Sequence, residues 1–67
     1  MITSHLGRLL ADRGLNSKDL NEDTHVSNAD IRKLLDGSAH SIEFDVLEAI
    51  CDYLKCEVGE VLEHSKP

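Results

Sequence analysis

Two helix-start signals stand eleven residues apart in the first half of this chain, and the interval leaves room for two short helices joined by a tight turn. Asn16 is followed three residues on by Asp19, and Ser27 by Asp30. In each pair the first side chain can accept a backbone N–H of the new helix while the second reaches back to the first. The apolar residues Leu20, Val26, Ile31 and Leu34 then fall where two helices crossing at a wide angle would bury them against each other. The spacing predicts a helix from Ser17 to Asp23 or Thr24, a turn at His25 and Val26, and a helix from Asn28 to Asp36 stopped by Gly37. That is helix-turn-helix spacing, with the motif over about residues 16–37.

The remaining elements read as supports. Ile2, Leu6, Leu9 and Leu10 recur at helical spacing, with Ser4, Arg8, Asp12 and Arg13 on the other side, which predicts a first helix over about residues 3–13. Gly14 ends it, and Leu15 points back toward the core. After the polar connection Ser38 to Ser41, Ile42 is expected to tuck under the third helix. Phe44, Leu47, Cys51 and Leu54, with Val46 and Ile50 beside them, form a wide apolar stripe that predicts a fourth helix over about 44–54. A last short helix from about Val58 to Glu63 presents Val61 and Leu62, and His64 to Pro67 is expected to fray. The expected architecture is all-α: one compact five-helix domain spanning residues 1–67.

A chain of this length buries only about 60% of the surface its unfolded form exposes. Two aromatic residues, Phe44 and Tyr53, leave the core to Leu, Ile, Val and Ala. Stability should be modest, so a second copy or another partner would add useful burial.

Charge opposes the simplest idea for such a motif. Thirteen acids against seven bases give −6, the wrong sign for releasing counterions from a polyanion. The distribution softens the objection. Residues 1–37 carry six acids and five bases, whereas residues 38–67 carry seven acids and two bases, so the acidity sits mostly in the supporting half.

Cys51 and Cys56, five apart, match no metal or redox spacing, which fits a reduced cytoplasmic protein. His5, His25, His40 and His64 lack the short paired spacings of structural zinc, so no metal is expected. Asp19 and Asp23 share a helix face, yet no nucleophile or base accompanies them and so short a chain offers no deep cleft; an enzyme is not expected. No segment approaches the roughly 18 consecutive apolar residues of a membrane span, and the N-terminus lacks a signal-peptide run, so the expectation is a soluble, unexported protein with no membrane role.

The run Leu15-x-x-Lys18-Asp19-Leu20, then Val26-Ser27-x-Ala29-x-Ile31, then Lys33-Leu34-Leu35-x-Gly37 resembles the lambda-repressor-like (Cro/C1-type, XRE) DNA-binding domains of bacterial and phage regulators. Residues 42–63 are similar to the fourth and fifth helices of small single-domain members, so the resemblance covers nearly the whole chain. In such proteins the second helix of the pair enters the major groove and the preceding one touches phosphate. The resemblance therefore implies base contacts from Ser27, Asn28, Ala29, Arg32 and Lys33. It implies phosphate contacts from Ser17 and Lys18, with Ser38 and His40 as weaker ones. Asn28 can offer a donor and an acceptor to adenine, and Ala29 can meet a thymine methyl. The bland alternative makes Ser27 and Asn28 helix-start residues and Arg32 and Lys33 solvated charges.

Several positions depart from the family pattern. Asn21 stands where a small residue is usual, and His25 and Lys55 where glycine is. Ser17 replaces a frequent glutamine, Asp30 a neutral residue and Asp36 an asparagine that meets phosphate. Asp30 either completes the cap with Ser27, the favoured reading, or accepts from a cytosine amino group.

The expected function is a sequence-specific DNA-binding transcription regulator, a repressor acting by occupancy as a homodimer on a palindromic double-stranded operator, without cofactor. Val58, Val61 and Leu62 are the expected dimer surface, since no partner within the chain is obvious for all three. The alternative is an acidic helix-turn-helix protein that binds a protein partner, as an anti-repressor or co-regulator, with little DNA affinity of its own.

Overall fold

The computed structural model describes residues 1–66. Its elements run β1 (Ile2–Ser4), α1 (Leu6–Asp12), α2 (Ser17–Thr24), α3 (Asn28–Asp36), α4 (Phe44–Leu54), α5 (Val58–Val61) and β2 (Leu62–His64). Five helices surround one apolar core made of Leu6, Leu10, Leu20, Val26, Ile31, Leu34, Ile50, Leu54 and Val61. Every helix contributes to that core, and Val26 comes from the turn between α2 and α3.

The ends of the chain differ from expectation. Residues 2–4 are not the start of α1; they pair antiparallel with residues 62–64, in the register Ile2 to His64, Thr3 to Glu63 and Ser4 to Leu62. The backbone N–H of His5 continues the pairing by donating to the Val61 carbonyl at 2.7 Å. The ribbon extends at its open end, where Ser65 N–H donates to the Met1 carbonyl and the terminal ammonium donates to the Ser65 carbonyl, both at 2.8 Å. Residues 64 and 65 are therefore tied to the N-terminus and not frayed, while Pro67 lies outside the described residues. Helix α1 starts at Leu6, whose N–H is accepted by the Ser4 hydroxyl at 3.3 Å. Helix α5 is a single turn, opened by the Glu57 N–H donating to the Glu60 carboxylate at 3.0 Å.

Phe44 also departs from the stripe assigned to it. At 87% exposure it stands in solvent at the first residue of α4, whose buried residues are Ile50 and Leu54. Val61 is fully buried, which removes it from any surface between copies; of the three residues expected there, Val58 is half exposed and Leu62 partly covered.

The tight ends fall where the sequence had to take left-handed backbone. His25 ends α2 at φ 64° and Lys55 ends α4 at φ 55°, while Gly14 and Gly37 adopt the same conformation without a side chain to strain. The turn between α2 and α3 is spanned by Asn21, whose side-chain amide donates to the Val26 carbonyl at 2.6 Å. Thr24 supports the same turn by accepting from Val26 N–H at 3.2 Å. A tie between α2 and α4 comes from the Tyr53 hydroxyl, which donates to Asp23 at 2.7 Å.

Candidate nucleic-acid interface

The presented surface begins with two caps. Asn16 accepts from the Asp19 N–H at 2.9 Å, and the Asp19 carboxylate accepts from the Asn16 N–H at 3.1 Å, so α2 starts on a complete reciprocal box. Such a start leaves the remaining free N–H groups of the first turn facing outward with the positive end of the helix dipole. At α3 only half of the box forms. Ser27 accepts from the Asp30 N–H at 3.1 Å, but the Asp30 carboxylate makes no bond back to Ser27. The expectation that Asp30 is occupied as a cap partner fails, and its carboxylate is left exposed on the first turn of α3.

Helix α3 buries Ile31 and Leu34 and turns its other side to solvent. Ser27, Asn28, Ala29, Arg32 and Lys33 are all exposed, as are Ser17 and Lys18 at the start of α2 and Ser38 after α3. They do not form one uniform patch. Ser17, Asn28, Arg32 and Leu35 line a shallow open hollow between α2 and α3 that is floored by Ile31. Lys33 borders the opposite flank of α3, sharing a second hollow with Asp30 and Glu43. Asn28 and Arg32 therefore line one hollow with Ser17, and Lys33 lines another with Asp30 and Glu43.

Charge partners follow the same division. Lys18 lies 3.9 Å from Glu22, both well exposed, a pairing worth little against a phosphate. Arg32 faces Asp36 one turn on. The Asp36 carboxyl is held below its ordinary 3.8 by hydrogen bonding to Ser38, with the Arg32 charge adding to it. The Ser38 N–H donates to that carboxylate at 2.9 Å, so Ser38 sits against a negative charge, which weakens it as a phosphate contact. His40, in the same connection, lines an apolar depression with Ile2, Ile42 and Leu62.

The sequence pointed to the exposed residues but not to their grouping. The division into an Asn28–Arg32–Ser17 side and an acid-bordered Lys33 side depends on where Glu43 and the preceding loop lie, a relation between residues far apart in the chain.

Comparisons with known proteins bear on this surface. The family profile of the Cro/C1-type HTH DNA-binding domain matches residues 5–67. The chain is 36% identical over 56 residues to the uncharacterized HTH-type transcriptional regulator YozG of Bacillus subtilis (strain 168), an alignment covering 84% of this chain and 67% of that protein. No solved structure matches it closely. With α3 outward, the core beneath it and the profile spanning both, the chain belongs to the Cro/C1-type helix-turn-helix DNA-binding domain family.

Proposed function

We propose that this protein is a sequence-specific DNA-binding transcription regulator that represses by occupying a promoter. The observation that carries the reading is the exposed Asn28 and Arg32 standing beside Ser17 across the α2–α3 hollow. With α3 in a major groove, Asn28 reads an adenine edge, Ala29 meets a thymine methyl, and Arg32 and Lys33 reach further base edges, while Ser27 stays near its cap. Ser17, Lys18 and the first-turn N–H groups of α2 hold phosphate, with Ser38 contributing least.

A homodimer on a palindromic site completes the proposal, since two copies of a small domain double the phosphate contacts and fix half-site spacing. Val58 and Leu62 remain available to such a dimer. The protein then acts in the cytoplasm, on the DNA it regulates; no helix among the described residues is long and apolar enough to cross a membrane. Selection from a random duplex pool tests the reading. It is expected to return an inverted repeat with half-sites about 10 bp apart; recovery without any shared sequence would contradict it.

A second reading is favoured by the net charge of −6 and by the carboxylates around Lys33. In it, the domain binds a protein partner instead of DNA, as an anti-repressor or co-regulator.

A further inference from the structure

Cys51 and Cys56 match no redox spacing in sequence, yet the end of α4 brings them together. Lys55, left-handed at φ 55°, lets the chain fold back so that its own N–H and that of Cys56 both donate to the Cys51 carbonyl, the latter at 3.1 Å. This is the helix-ending bond pattern in which the residue two beyond the last turn packs its side chain on the residue five earlier. Both positions are cysteine here, both are free thiols, and both are half-buried at the edge of the core rather than sealed within it. We propose that Cys51 and Cys56 form a thiol pair that a peroxide converts into an intramolecular disulfide across the α4 cap.

The chemistry balances with hydrogen peroxide as the oxidant. The Cys56 sulfur, as thiolate, attacks one peroxide oxygen; the O–O bond breaks, hydroxide leaves and takes up the thiol proton as water, and Cys56 becomes a sulfenic acid. The Cys51 sulfur then attacks the Cys56 sulfur, and the displaced hydroxide leaves as water with the Cys51 proton. Two thiols lose two electrons and two hydrogens, and one peroxide becomes two waters. Cys51 is the slower of the two toward peroxide, because burial and the neighbouring Cys56 push its thiol above the ordinary range, and it reacts once the Cys56 sulfenic acid stands beside it. Both cysteines lie at the end of α4, outside the residues of α2 and α3.

The test treats the intact protein with one equivalent of hydrogen peroxide, then counts free thiols and measures mass without reductant. The expected result is loss of both thiols in a monomer lighter by two hydrogen atoms, with both thiols restored by dithiothreitol. Cys56→Ser is expected to lose its remaining thiol more slowly than the parent loses the pair, whereas Cys51→Ser loses its Cys56 thiol at about the parental rate and accumulates a sulfenic acid that dimedone traps. Both thiols persisting in the parent overturns the proposal. So does loss of thiols solely through disulfide-linked dimers, or equal rates in the parent and both variants.

Discussion

The side-chain amide of Asn21 closes the α2–α3 turn by donating to the Val26 carbonyl at 2.6 Å. The bond joins the last full turn of α2 to the residue that leads into α3, so it fixes the angle at which α3 faces outward. Replacement by Asp keeps the shape and removes the donor, setting a carboxylate against a carbonyl near the negative end of α2. Asn21→Asp is expected to cost about 2 kcal/mol at neutral pH. The introduced carboxyl is stabilised in its protonated form by folding, so its folded pKa is raised and the loss is recovered as pH falls below that pKa. Urea unfolding at neutral and mildly acid pH measures both effects; an equal cost at both would remove the donor role.

His25 and Lys55 carry side chains at φ 64° and 55°, a region that burdens any residue with a Cβ. His25 makes no side-chain hydrogen bond among the described residues and is exposed, so glycine there removes strain without removing a hydrogen bond. His25→Gly is expected to stabilise the protein by about 1 kcal/mol, net of the greater freedom glycine gains on unfolding. Thermal unfolding checks it. A lower midpoint would show that His25 has a contact worth more than its strain.

The Tyr53 hydroxyl donates to the Asp23 carboxylate, and that bond, followed by burial, pushes the phenol up to about 12 from its ordinary 10.0. Folding thus favours the protonated phenol. The stability it contributes is present in full below about 10 and is lost as pH rises through about 12. One tyrosine and no tryptophan make the ultraviolet titration unambiguous. A midpoint near the raised value is expected in the parent, returning toward the ordinary one in Asp23→Asn; an identical midpoint in both would break the link between α2 and α4.

Helices α2, α3 and α4 fall where the caps and apolar period placed them, because Asn16, Ser27, Gly37 and the stripe from Leu47 to Leu54 are local signals. The ribbon was not legible. Three-residue strands carry no period of their own, and Ile2 continues the spacing of Leu6, Leu9 and Leu10 well enough to pass for helix. Its partner, Leu62 to His64, lies at the other end of the chain, and only the fold supplies that pairing. Val61 was misjudged for the same reason, since the residues that bury it come from outside its own helix. At the interface, residue identity marked Asn28 and Arg32 as candidates, but neither the idle Asp30 carboxylate nor the hollow that Lys33 shares with Glu43 had a sequence signal.

In the proposed function, α3 reads base pairs in spite of an acidic body. Its most direct test is the affinity of the protein for a selected duplex and a random one across a range of salt, with Asn28→Ala beside the parent. Binding at low salt that falls steeply as salt rises is predicted, with Asn28→Ala weakening the selected duplex by about 1 to 3 kcal/mol and the random one hardly at all. No binding to either duplex at about 50 mM salt would contradict the claim and favour a protein partner.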